Sequence, residues 1–207
     1  MTTVVAFEGH SYSGKTTAVG HLRRTLGPDD VLFFDCYVRS IPHRQDIPRA
    51  STRSADEQLR AFETFMRIEE DRATALAHRP ETRLVILDRS VDTLLAHAYA
   101  LDAMYGYGAL DRARQRLRGL PHLRPDHTLY LDTSPEILSL RRKEAGHTAV
   151  EPEYFLHDAA FLHHTRTYFC DRPGGTVAAE VVIVPGDGSR QDTAQAVEAI
   201  VRFWTPS

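Results

Sequence analysis

The chain has 207 residues, 42% hydrophobic and 26% charged, a composition that supplies an ordinary globular core and excludes intrinsic disorder. A formal net charge of -3 gives no reason to expect a nucleic acid polymer or an anionic membrane as partner, and no apolar run reaches the ~18 residues of a membrane span. Cys36 and Cys170 fit neither a disulfide scaffold nor a zinc site, and Met1 to Phe7 lack the charged start of a secretory signal, so the expectation is a cytoplasmic protein with a single domain over residues 1–207.

Val4-Val5-Ala6-Phe7 reads as a buried strand, followed by a helix from Lys15 to about Leu26 that Gly27-Pro28 ends. Val31 to Phe34 is a second strand, closed by Asp35. Residues 36 to about 53 carry prolines and arginines without a period and read as a loop. Ser54-Ala55-Asp56-Glu57 is a capping-box pattern, and Leu59, Phe62, Phe65 and Ile68 continue it at helical spacing. Leu84 to Leu87 is a third strand closed by Asp88, and a helix over about 90–104 follows, broken by Gly106 and Gly108. Thr128 to Leu131 is a fourth strand, after which Ser134 and Pro135 open a helix. Val181 to Val184 is a fifth strand, and a helix from Asp192 to about Phe203 closes the chain. Short, nearly all-apolar strands separated by helices predict an α/β fold with a parallel sheet covered on both faces.

Gly9-His10-Ser11-Tyr12-Ser13-Gly14-Lys15-Thr16 matches G-x-x-x-x-G-K-[ST] between the first strand and the first helix. The glycines let the backbone N–H groups of Ser11, Tyr12 and Ser13 turn inward around a phosphate. The helix N-terminus adds roughly half a unit of positive charge. Lys15 is suited to the β- and γ-phosphates of ATP, and the Thr16 hydroxyl, next to Thr17, to Mg²⁺. Only two of the 25 basic residues are lysine, so most other anions must be met by arginine. Asparagine is absent, which removes the N-K-x-D motif of guanine-specific GTPases, and no Leu-Ser-Gly-Gly transporter signature is present.

With Phe7-Glu8-Gly9 opening the loop, Glu70-Asp71-Arg72 late in the second long helix, Leu87-Asp88-Arg89-Ser90 after the third strand, and Tyr130 to Glu136 leading into Leu140-Arg141-Arg142-Lys143, the chain resembles the P-loop nucleoside and nucleotide kinases of the thymidylate kinase and deoxynucleoside kinase group. The resemblance implies a three-layer fold with a five-stranded parallel sheet and a short lid at about 141–152. It also implies ATP and Mg²⁺ as cofactors, a small-molecule phosphoryl acceptor, and a homodimer. By position, Asp88 orients the metal shell or acts on the acceptor, Arg89 and Arg72 contact the acceptor, and Arg141 and Arg142 belong to the lid.

Three positions depart from the group. Phe34-Asp35-Cys36-Tyr37 replaces the Arg-Glu-Pro segment of thymidylate kinases, Ile68 stands where an aromatic stacks on thymine, and Ala96-His97-Ala98 stands where Ala-Tyr-Gln reads the base. Asp35 is thus either a general base and acceptor ligand or a strand-end turn residue. Arg39, Tyr99 and Tyr105 are further acceptor candidates, whereas Phe62 and Phe65 read better as core and His163-His164 fit no metal spacing. The expected activity is γ-phosphoryl transfer to a nucleoside or nucleoside monophosphate. The alternatives are a hydroxyl kinase acting on a non-nucleotide small molecule such as an antibiotic or natural-product intermediate, with Asp35 as base, and a non-catalytic nucleotide-binding switch.

Overall fold

A computed structural model describes residues 2–27, 31–51, 54–147, 154–171 and 175–205. Five strands form one parallel sheet: β1 (Thr3–Glu8), β2 (Val31–Phe34), β3 (Leu84–Asp88), β4 (His127–Asp132) and β5 (Glu180–Pro185), in the order β2-β3-β1-β4-β5. β1 is central, with Phe7 level with Asp88 on one side and Leu129 on the other.

The helices are α1 (Lys15–Thr25), α2 (Tyr37–Ser40), α3 (Ala55–Ala77), α4 (Val91–Tyr105), α5 (Ala109–Leu117), α6 (Pro135–Glu144), α7 (Ala159–Cys170) and α8 (Arg190–Trp204). Because side chains alternate along a strand, β1 is divided between two cores. Val5 and Phe7 pack with Ala18, Val19 and Leu22 of α1 and Val197 and Val201 of α8. Val4 and Ala6 pack on the other face with Val85, Leu87 and Leu123, against Ala73 and Leu76 of α3. α4 lies between α5 and α7 in that second layer. The architecture is the three-layer one expected.

Several local expectations are corrected. Residues 36–51 are more than a loop: they contain α2 and a 3-10 turn at Arg44–Asp46, while 52–53 lie outside the described residues. α2 forms where Tyr37 finds a buried partner, its hydroxyl donating to Glu69 Oε1 at 2.8 Å. α5 and α7 were not anticipated. α5 is capped from a distance, both carboxylate oxygens of Asp102 accepting from Ala109 N and Leu110 N at 2.8 Å. Ser134 begins α6 without a side-chain cap; its own N–H donates instead to Asp187 at 2.7 Å. Of the expected lid, 141–144 are the last turn of α6, and 148–152 lie outside the described residues. No described helix is long and apolar enough to cross a membrane.

Candidate active site

The central strand ends in Glu8 and the chain then turns sharply through residues 9–14 into α1. Gly9 has φ +132°, and a Cβ there would sit 2.8 Å from the Leu131 carbonyl oxygen and 2.9 Å from Ser13 Oγ, so no other residue fits the close approach of the loop to β4. Gly14 caps α1 in the left-handed region at φ +102°. Lys15 folds back over the loop: its Nζ donates to Gly9 O (2.8 Å), His10 O (2.6 Å) and Ser13 Oγ (3.3 Å). Burial and the neighbouring Arg89 push its pKa down to about 7, against the pull of Asp88 and Glu8.

At the end of the adjacent strand, Asp88 is buried and its Oδ2 accepts from the Thr16 hydroxyl at 3.2 Å. The next residue, Arg89, is one of two described non-glycine residues with positive φ (74°; Tyr12 is the other, 69°). Its N–H donates to Phe7 O at 3.1 Å, and its guanidinium donates to Thr93 Oγ1 at 3.3 Å. A strained backbone held by a hydrogen bond to the central strand is a common feature of sites where a side chain must be aimed.

These groups line one cavity of about 560 Å³, which also meets Ser11, Tyr12, Gly14, Thr17, Arg39, Arg141 and Arg190. Among the described residues no cluster of three or more His, Cys, Asp or Glu could hold a metal unaided. Magnesium at a phosphate site draws most of its ligands from water and phosphate oxygens. The hydroxyl of Thr16 and the carboxylate of Asp88, side by side in the cavity, fit that limited demand on the protein.

Six further residues expected at the site are placed as follows. The Asp35 carboxylate turns onto α1 and pairs with Arg23 at 2.9 Å, half exposed, and does not line the phosphate cavity. Arg72 lies beneath the site: buried, it donates to Glu69 Oε1 (2.6 Å), Arg89 O (3.0 Å) and Asp35 O (2.5 Å), binding the ends of β2 and β3 to α3. Tyr99 packs between α4 and α7 against His164 and Tyr168. Tyr105 is exposed and stacks on Tyr107 at 5.3 Å. Arg141 does reach the cavity but is a strap, donating to Ser13 O (3.4 Å), Gly186 O (2.9 Å) and Gly188 O (2.9 Å). Arg142 lines a neighbouring cleft with Ser11, Tyr12 and His157.

Two site residues, Arg190 and Glu8, escaped the sequence reading. Arg190, at the start of α8, contributes a cation from the far end of the chain, and no local pattern marks it. Glu8 is fully buried and accepts from Ser90 N (2.8 Å), Ser90 Oγ (2.9 Å) and the Thr93 hydroxyl. Burial raises its pKa although Arg89 is near. The sequence signal was a lone carboxylate ending an all-apolar strand. His10 lies between Tyr130 and Thr165, 3.3 and 3.4 Å away, and burial together with Lys15 and Arg89 lowers its pKa to about 3. Glu8, His10, Arg89 and Thr93 line a small polar cavity of about 20 Å³ beside the one that Lys15 lines.

No protein-family model and no curated protein matches the chain. Solved structures do match its fold. A thymidylate kinase from Candida albicans is 19% identical with a TM-score of 0.67, over 98% of this chain and 92% of that one. A deoxyadenosine kinase from M. mycoides with bound dATP is 14% identical with a TM-score of 0.68, over 97% of this chain and 100% of that one. The same kinase with dCMP and dCDP bound gives a TM-score of 0.65 at 14% identity, over 97% and 100%. The chain thus shares its fold with these two kinases.

Proposed function

We propose that the protein is an ATP- and Mg²⁺-dependent phosphotransferase that moves the γ-phosphoryl group to an oxygen of a small-molecule acceptor. The observation that carries this is the meeting of Lys15, the Thr16–Asp88 pair and Arg89 on one cavity at the carboxyl ends of β1 and β3. Ligands of open α/β sheets collect at such ends. The shared fold with a thymidylate kinase and a deoxyadenosine kinase supports the same reaction class.

In the transfer, the acceptor oxygen bonds to the γ-phosphorus as the bond from that phosphorus to the β–γ bridging oxygen breaks, and ADP leaves with the electron pair. An acceptor phosphate attacks as an oxyanion and releases no proton. An acceptor hydroxyl passes its proton to an oxygen of the phosphoryl group it receives, since Asp88 lies beside Thr16 at the metal position. Lys15 leaves its carbonyl partners in the loop for the β- and γ-phosphates, and the guanidinium groups of Arg89, Arg39 and Arg190 face the equatorial charge that develops. Thr16 and Asp88 would hold magnesium, which would supply charge neutralisation on the phosphate oxygens. The inward amides of the loop fix the polyphosphate, so that positioning supplies much of the rate.

A coupled assay of ADP release, run with nucleosides, nucleoside monophosphates and other hydroxylic metabolites, tests the reading together with calorimetry of Mg-ATP. Acceptor-stimulated release is expected, and Lys15→Ala should lower it by about 10²–10³-fold or more. ATP binding without stimulation by any acceptor would instead favour a nucleotide-dependent switch.

A further inference from the structure

Near the phosphate cavity lies a second, smaller one, of about 120 Å³, bordered by α3, α4, α5 and the loops at 47–50 and 155–156. Its volume is comparable to the ~150 Å³ of an apolar cavity that takes up a single aromatic ring. Its buried walls are apolar throughout: Leu59, Phe62, Leu94, Ala98, Ala113 and Phe155. Among the described residues, three polar side chains reach it. Arg49 is exposed on the loop, Gln58 is half-buried, and His97 presents its ring, packed edge-on against Phe155 and Phe161. Burial lowers the His97 pKa to about 3, so at neutral pH this ring carries no charge into the cavity. A hydrogen bond from Phe155 N to Ala50 O, 3.1 Å, ties the two loops into a common roof.

The cavity adjoins the site of transfer at two places. Val38, an exposed apolar side chain, lines both it and the phosphate cavity. His97 and Leu156 line both it and the small polar cavity, which in turn shares Ser11 and Arg89 with the phosphate cavity. A molecule seated among the apolar walls therefore has its polar end beside Val38 or His97, facing Lys15 and Arg89.

Resting on the phosphotransferase reading, we infer that the acceptor has an apolar body poor in hydrogen-bonding groups, seated between α3, α4 and α5, and is not recognised through a nucleobase. A nucleobase edge carries several donors and acceptors, and a pocket that selects one must answer them with fixed partners. Among the described residues the walls answer mostly with methyl groups and aromatic rings, and with polar side chains only at Arg49, Gln58 and His97. Ile68, which stands where an aromatic would stack on a base, is buried in the hydrophobic core and absent from the cavity lining. Phe62 and Phe65, expected as core, belong to it and line the cavity as well.

The test measures ADP release by the full chain with 3-phenylpropan-1-ol and geraniol, each also as its monophosphate, against thymidine, deoxyadenosine and their monophosphates. The paired forms distinguish a hydroxyl from a phosphate nucleophile. At least tenfold higher kcat/KM is expected for the apolar acceptors in one of the two forms, rising about fourfold per methylene along a phenylalkanol series. Ala113→Phe, which fills the cavity from α5, should raise the acceptor KM at least tenfold while the Kd for Mg-ATP holds. Ala109→Leu gives the same readout should the larger side chain prevent folding. Preference for the nucleosides or nucleotides, or an acceptor KM unmoved in the folded variants, overturns the inference and leaves the phosphotransferase reading in place. Absence of any heat with Mg-ATP overturns that reading, and the inference with it.

Discussion

Arg72 illustrates how a single side chain is assigned differently by its neighbours in sequence and in space. Its position late in α3 suits an acceptor contact, yet its guanidinium is spent on Glu69 and on the carbonyls of Asp35 and Arg89. It also faces the ring of Tyr37 at 4.6 Å. Removing one member of a buried ion pair leaves the other uncompensated, so Arg72→Ala should cost about 3–5 kcal/mol in urea unfolding. Arg72→Lys should recover little of this, because a single ammonium cannot reach all three oxygens in the same fork geometry. Asp35 is the converse case. Its carboxylate serves a half-exposed pair with Arg23, while its backbone carbonyl is what ties it to the site. The shortage of lysine has a local consequence as well: Lys15 is the lone ammonium beside Arg39, Arg89, Arg141 and Arg190 in the phosphate cavity.

Among the elements, those that announce themselves locally can be separated from those that depend on distant partners. α3 begins where its capping pattern said, with Ser54 Oγ accepting from Glu57 N at 3.2 Å. Ser54→Ala should lower stability by about 1 kcal/mol. α5 has no such signal, since its N-cap is Gly108 and its first amides are held by Asp102 of the preceding helix. Asp102→Ala should cost about 1–2 kcal/mol by leaving two helix-end amides without that partner. Because α5 forms one wall of the apolar cavity, the same change should raise the KM of the acceptor more than the Kd of Mg-ATP. Steady-state kinetics beside calorimetry would show the split.

Over the whole molecule, buried titratable groups set a pH dependence of stability. His97 and His10 both have pKa values near 3 in the folded state against 6.5 ordinarily. Below pH 6.5 the unfolded chain takes up protons that the folded one refuses, so these groups make stability fall as the pH drops from about 6.5 toward 3. Glu8 and Asp92, whose pKa values are raised by burial, act in the opposite direction, their contribution being lost as the pH rises through their folded values. His97→Phe isolates one histidine from this balance. The ring already packs edge-on between Phe155 and Phe161, so the variant should fold. Relative to it, the unsubstituted protein should lose stability steadily from pH 6.5 to 4 and hold a constant difference above pH 7.5, read by denaturant midpoints at each pH.

By itself the sequence determined the glycine-bounded loop ahead of α1, the five strands and their burial on both faces, and the start of α3, because each is written in contiguous residues: a glycine spacing, an apolar run, a cap three residues from its partner. It also located Asp88 and Arg89 at a strand end, where the close approach to Thr16 follows from β1 and β3 being neighbours. Only the tertiary structure decided that Asp35 turns away, that Arg72 and Arg141 brace carbonyls, that Glu8 and Arg190 join the site, and that Phe62 and Phe65 face a cavity. The physical reason is the same for all of them. A side chain's role is set by the competition among partners for its hydrogen bonds and its apolar surface, and those partners lie tens of residues away along the chain, brought within reach only when the helices close over the sheet.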